Sequence, residues 1–260
     1  MLSENRLRQA LKAGRSVFGV LASLPTAASI ELIGDAGFDF VVIDTEHVLI
    51  NPETIEHMIR TAERYRMTPL VRVPDADPKR MLRLLDGGAQ GIVIPQVESP
   101  ETVRQAVQAC RYAPEGNRSL NAGRPGAFGR DALSTYVAHA NRHIMVVAMI
   151  ETVAGVAAAR DIAETPGLDL VLEGAADLSQ SLGISWDTGH PRVLAALEHT
   201  ARTCLDSGVP YAAFLRHEDA GAYWRARGVT TFMLGDERGI AFRALRRALE
   251  QAHTDTGARS

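Results

Sequence analysis

Eight short apolar runs punctuate the chain, at residues 16–21, 39–44, 69–73, 91–95, 144–150, 168–172, 210–215 and 230–234. Most are unbroken blocks, such as Phe40-Val41-Val42-Ile43, rather than alternating ones. Unbroken blocks belong to strands buried on both faces, as in a parallel sheet covered by helices. Between them the period changes. Segments 52–66, 78–86, 101–111, 153–163, 191–207, 218–227 and 237–252 read as amphipathic helices. Asn51 and Asp77 stand as N-caps, with Pro52 and Pro78 at the first helical position. Gly208 and Gly228 stand where a helix must turn back into a strand. Repeated strand–helix alternation predicts a single-domain α/β protein, a (β/α)8 TIM barrel over residues 1–253. A doubly wound sheet is the other arrangement the pattern allows. Residues 254–260 read as a flexible tail.

One stretch, 113–130, is irregular and rich in Gly and Arg. A loop of this length is either a binding loop or lid, or an ordinary surface excursion.

In a barrel, chemistry sits at the C-terminal ends of the strands. The second run ends on Asp44, with Glu46 and His47 just beyond. The third carries Arg72, the fifth ends on Glu151, and the sixth ends at Glu173-Gly174-Ala175-Ala176-Asp177. The seventh ends on Arg216 and the eighth runs into Gly235-Asp236. An arginine inside a buried strand must be paired. Arg72 is therefore either a core ion-pair partner or a planar fork for a substrate carboxylate. Glu151 and Asp177 end adjacent strands, which lie about 5 Å apart. They suit an oxygen-only cation site, or else an acid–base or salt-bridged pair. His47, beside carboxylates at a strand end, is a candidate base. His139 and His143 have i,i+4 spacing but precede the fifth strand, on the other side of the barrel, and read as surface residues.

Composition narrows the function. The chain has 260 residues, 46% hydrophobic and 23% charged, which excludes a disordered chain, a collagen and a coiled coil. A net charge of −3 gives no basic excess for a phosphate backbone, so nucleic acid is not an expected partner. No apolar run approaches the roughly 18 residues of a membrane span, and the N-terminal stretch has no signal-peptide core. Cys110 and Cys204 are the only cysteines, which fits a reduced cytoplasmic protein without a zinc cluster. Gly123-Arg124-Pro125-Gly126 matches neither a P-loop nor a dinucleotide turn, and no Gly-x-Ser-x-Gly elbow occurs. Lysine occurs only at Lys12 and Lys79, and neither ends a strand. Schiff-base chemistry therefore has no plausible nucleophile.

Five motifs, in order along nearly the whole chain, carry a family resemblance. They are Phe38-Asp39-Phe40-Val41-Val42-Ile43-Asp44-Thr45-Glu46-His47, Val71-Arg72-Val73-Pro74, Leu85-Asp86-Gly87-Gly88-Ala89-Gln90-Gly91, Ile150-Glu151-Thr152 and Gly174-Ala175-Ala176-Asp177-Leu178-Ser179. The chain resembles the HpcH/HpaI aldolases of the citrate lyase beta-like superfamily, metal-dependent class II enzymes acting on pyruvate-like enolates. The resemblance implies a divalent cation (Mg2+, Mn2+ or Co2+) on Glu151 and Asp177. It implies that Arg72 binds the 2-oxo acid and that His47 is the general base, oriented by Asp44. Gly174, Ala175 and Ala176 are expected to contact the substrate, and Asp86 to reach a neighbouring subunit's site. A homohexamer is implied, with the last helix on a neighbouring barrel; its apolar stripe at Ile240, Ala241, Leu245 and Ala248 can dock on its own barrel or on a neighbour's.

Three positions depart from the family pattern. Met149 stands where glutamine is frequent, Glu173 where an apolar residue is usual, and Ala175 where proline is usual. The expected reaction joins a pyruvate-like 2-oxo acid to an aldehyde, or cleaves such a bond. The alternative is a citrate synthase-like condensation of oxaloacetate with acetyl-CoA in siderophore biosynthesis, which a new carboxylate at Glu173 in the first shell would suit. A catalytically silent barrel that binds a carboxylate metabolite is a third reading.

Overall fold

The computed structural model describes residues 4–256. Eight parallel strands close into a barrel in sequence order. They are β1 (Val17–Ala22), β2 (Phe40–Asp44), β3 (Thr68–Arg72), β4 (Gly91–Ile94), β5 (Met145–Ile150), β6 (Leu170–Glu173), β7 (Tyr211–Phe214) and β8 (Thr231–Asp236). Every expected run forms a strand, with ends shifted by up to two residues.

Side chains alternate between two packed layers. Phe40, Val42, Leu70, Val93, Val147, Leu172, Ala212 and Met233 fill the barrel interior. Val41, Ile43, Val71, Ile92, Val146, Val171, Ala213 and Phe232 point outward under the helices. This two-residue period decides which strand-end residues reach the mouth from inside.

Several helices escaped the sequence reading. Arg6–Lys12, capped by the Asn5 side chain, closes the N-terminal end of the barrel. Its Leu7 and Ala10 join the interior layer, and the Leu7 amide donates to Thr68 Oγ1 at 3.0 Å. Ala27–Asp35 starts after the N-cap Thr26, and Leu133–His143 precedes β5. Ala175–Ser181 follows β6 directly. The expected 153–163 helix breaks at Ala158 into Val153–Ala157 and Ala159–Ala163.

Loop 113–130 is strapped to the outside of the barrel. Arg118 Nη2 donates to Asp86 Oδ1 at 2.8 Å, and Arg124 reaches Glu63 Oε2 at 2.7 Å and the Gly87 carbonyl at 2.7 Å. His139 and His143 are half-buried rather than on the surface, and they stack at 4.1 Å.

The last helix, Glu237–Thr256, includes Thr254 to Thr256, which were expected to open the tail. Residues 257–260 lie outside the described residues. None of this helix's residues is buried, and Phe242, Leu245 and Leu249 are 64, 72 and 59% exposed. The stripe therefore has no seat on its own barrel. Among the described residues, no helix is long and apolar enough to cross a membrane.

Candidate active site

Inward parity carries Asp44, Arg72, Met149 and Glu151 to the C-terminal mouth of the barrel. Asp44 and Arg72 are register partners on β2 and β3. Arg72 Nε donates to Asp44 Oδ1 at 3.0 Å, and its Nη2 lies 2.8 Å from Oδ2. Both side chains are nearly fully buried. Burial pushes the Asp44 carboxyl up, but the Arg72 hydrogen bonds and charge outweigh it, helped by the amides of His47 and Glu46. The net result lies below the ordinary 3.8. Arg72 Nη1 is the less satisfied nitrogen. It faces Glu46 Oε2 at 3.2 Å and the Met149 thioether at 3.8 Å, a weak acceptor.

Glu151 is 2% exposed, and its Oε1 accepts the Gln96 amide at 2.8 Å. Gln96 holds a left-handed φ of 50°, which turns that amide toward the carboxylate. Burial pushes the Glu151 carboxyl up to about 7, and the charges of Asp177 and Glu46 add to it. Gly174 is obligatory here, because a Cβ would overlap both Oε2 and Cβ of Glu151. Asp177 stands half-buried in the first turn of the Ala175–Ser181 helix. Ala175 is buried and Ala176 half-buried beside it.

Two expectations change. Asp44 does not touch the His47 imidazole. Its oxygens go to Arg72 and to the backbone amides of Glu46 (3.1 Å) and His47 (3.4 Å), so it fixes the loop rather than the ring. The ring's neighbour is Glu46, whose Oε2 lies 3.6 Å from His47 Nε2. Glu46 is the site residue that strand-end reasoning underrated. It is one more step of inward parity beyond Asp44. Its Oε2 is buried without a hydrogen-bond partner, and burial raises its carboxyl above the ordinary value despite Arg72 and His47. The imidazole itself is 59% exposed.

Glu173 does not face the mouth. It shares the outward parity of Val171 and is fully buried beneath the rim. Its carboxylate takes the Tyr211 hydroxyl at 3.0 Å, the Phe214 amide at 2.8 Å and the Arg216 guanidinium. Asp86 is also outside its own chain's mouth. It stands near the end of the Pro78–Gly87 helix, gripped by Arg118 and by Asn121 Nδ2 at 3.1 Å.

Glu46, Glu151 and Asp177 thus crowd one mouth: the charges of Asp177 and Glu46 raise the Glu151 carboxyl, and that of Asp177 also raises Glu46. Among the described residues, no three His, Cys, Asp or Glu side chains converge as a finished metal cage. Two carboxylates nonetheless suit a hard divalent cation, and a cation would relieve the crowding.

Fold and site together define a barrel enzyme equipped for a small carboxylate substrate. The sequence pattern of the HpcH/HpaI aldolase/citrate lyase family matches residues 18–244, and the chain belongs to that family. The family comprises carbon–carbon lyases that depend in general on a divalent metal. A 4-hydroxy-2-oxo-heptane-1,7-dioate aldolase of Escherichia coli is 33% identical over 238 residues, 89% of this chain and 91% of that protein. The crystal structure of citrate synthase SbnG superposes with a TM-score of 0.90 at 43% identity, covering 98% of this chain and all of that one. An HpcH/HpaI aldolase from Desulfitobacterium hafniense superposes with a TM-score of 0.90 at 30% identity, covering 95% of this chain and 96% of that one.

Proposed function

We propose that the protein is a divalent-metal-dependent aldolase that makes or cleaves the bond between a pyruvate-like 2-oxo acid and an aldehyde. The observation that carries this reading is the grouping of Glu151 and Asp177 with Arg72 at one mouth, in a chain whose two lysines are exposed and end no strand. Mg2+, Mn2+ or Co2+ held by Glu151 and Asp177 supplies the Lewis acidity that lowers the cost of negative charge on the 2-oxo acid.

The chain's own residues do the rest. Arg72 Nη1 is the donor left for a substrate oxygen, because Nε and Nη2 are committed to Asp44. Asp44 holds that guanidinium and the loop of Glu46 and His47 in one arrangement. His47 moves the proton between the aldehyde oxygen and solvent, with Glu46 as the carboxylate facing its Nε2. Gly174, Ala175 and Ala176 form the surface against which the 2-oxo acid lies.

The reading extends to assembly and location. The unseated last helix and the remote Asp86 support a homo-oligomer, a hexamer, in which Asp86 serves a neighbour's His47. Two free, buried cysteines support a cytoplasmic setting.

A second reaction is favoured by one specific observation, the 43% identity to a citrate synthase over almost the whole chain. The same donors would then hold oxaloacetate while acetyl-CoA supplies the enolate. The test is to assay Mg2+- and Mn2+-loaded protein with pyruvate plus aldehyde, and with oxaloacetate plus acetyl-CoA. Turnover of the first pair, abolished by EDTA and restored by metal, supports the aldolase. Turnover of the second pair alone replaces it with the condensation.

A further inference from the structure

The most unusual buried charge outside the catalytic group is Glu173. A fully buried carboxylate must be paired or hydrogen-bonded, and this one has three donors: the Tyr211 hydroxyl, the Phe214 amide and Arg216 Nη1. Two of these come from backbone and core groups that would be present without Arg216. The third pins a long, otherwise free side chain at the rim of the barrel.

Arg216 begins the loop after β7, next to the strand whose end leads into Asp177. Its guanidinium lies 5.2 Å from the centre of the Phe214 ring. Phe214 packs on the interior layer, so the cation stands above the edge of the barrel interior. Nη1 is used twice, on Glu173 and on the Phe214 carbonyl at 3.4 Å. No hydrogen bond of Nε or Nη2 is found among the described residues, and the side chain is 31% exposed. Arg72, by contrast, has Nε and Nη2 tied to Asp44. Around an acidic mouth, Arg216 is thus a pre-positioned cation with an open edge, and a guanidinium fork matches a carboxylate.

We infer that Arg216, anchored by Glu173, is a specificity-determining residue that receives a substrate carboxylate remote from the reacting 2-oxo group. The inference rests on the 2-oxo acid reading above and assigns the residue that would receive a second carboxylate of the reacting pair. That carboxylate belongs either to a dicarboxylic 2-oxo acid or to the aldehyde partner. Anchoring matters because a guanidinium already held in place loses less side-chain freedom on binding.

The experiment compares wild type, R216Q and R216K, all Mg2+-loaded, on two matched four-carbon pairs. Calorimetry measures binding of oxaloacetate against 2-oxobutanoate. Kinetics with pyruvate measures succinic semialdehyde against butanal. Wild type should prefer the dicarboxylate in one pair by about tenfold or more, as expected for a charge-assisted contact. R216Q should lose that preference while leaving the neutral ligand within about twofold, and R216K should restore part of it. The pair that responds identifies the source of the carboxylate. Absence of any preference in wild type, or a preference that survives in R216Q, overturns the inference. If neither aldehyde turns over but an Arg216-dependent binding preference remains, the aldolase reading fails and the carboxylate subsite stands.

Discussion

Arg72 and Asp44 meet across the β2–β3 pair as register partners joined by two parallel contacts, Nε to Oδ1 at 3.0 Å and Nη2 to Oδ2 at 2.8 Å. The pair is a fork gripping a carboxylate, and it leaves Nη1 aimed at the mouth. A lysine at this position keeps the charge but cannot hold Asp44 and a substrate oxygen together. R72K should therefore lose about 100-fold or more in turnover, on the scale of losing one oxyanion donor. It should also melt lower, because Asp44 and Glu46 are left poorly paired in the interior. Near-normal turnover in R72K would make Arg72 a core ion-pair partner and nothing more.

Glu151 sets a pH dependence whose sign is opposite to that of Asp44. Its folded pKa of about 7 lies above the ordinary 4.5. Between those values the folded protein keeps a proton that the unfolded chain has released. Raising the pH through this window therefore destabilises the metal-free protein. E151Q lacks this titration. Without metal, E151Q and wild type should melt alike near pH 5, and E151Q should melt higher near pH 8. The cation needs the ionised carboxylate, so Mg2+ should raise the wild-type melting temperature more at pH 8 than at pH 6. Scanning calorimetry at the three pH values, with and without Mg2+, reads both effects; a constant difference between variants would contradict them. Asp44 behaves conversely. Its depressed pKa contributes stability that is present above its unfolded value and is lost as pH falls through the folded one.

The His47 imidazole faces Glu46, and the contact with Asp44 is made by the backbone amide, so removing the ring should spare the cation site. H47A should lose about 100-fold or more in turnover, the range of a missing acid–base group, while Mg2+ affinity changes by less than about threefold. Parallel losses in both would place His47 in the scaffold instead. E46Q should flatten the pH profile of turnover without matching the H47A loss, since it removes a charge beside the ring rather than the ring itself.

The strands were legible because unbroken apolar blocks such as Phe40-Val41-Val42-Ile43 admit few structures other than a strand covered on both faces. Arg72 and Glu151 were legible for a related reason, as charges ending such blocks. Glu173 was misplaced because position at a strand end was weighed and parity was not. Leu170 and Leu172 point inward, so the residue after Leu172 points outward, and the sequence carried that signal. Glu46 follows the same rule in the favourable direction. The grip of Arg118 and Asn121 on Asp86 had no local signature. It joins a loop to a helix 32 to 35 residues away, and only the folded chain brings them together. The Arg6–Lys12 helix was missed because it is under two turns long, with apolar positions only at Leu7, Ala10 and Leu11; the barrel floor they pack against is invisible to a short window.

Assembly gives the most exposed prediction. A helix of 20 residues with no buried residue, and with Phe242, Leu245 and Leu249 facing solvent, carries an apolar face that water does not favour. Its own barrel offers no seat, and the proposed hexamer would supply one on another copy. The role proposed for Asp86 requires the same assembly. It is held by Arg118 and Asn121 outside its own chain's mouth, so if its carboxylate serves a mouth, that mouth is a neighbour's. L245E/L249E should therefore shift the light-scattering mass from hexamer toward monomer and cost most of the activity. Asp86 and His47 should then complement in trans. D86N and H47A should each be nearly inactive alone, while mixed oligomers, formed by co-expression, should regain activity because some mouths receive an intact Asp86 beside an intact His47. An active particle of monomer mass, or mixed oligomers no more active than their parents, would remove Asp86 from the site and leave the last helix without its proposed role.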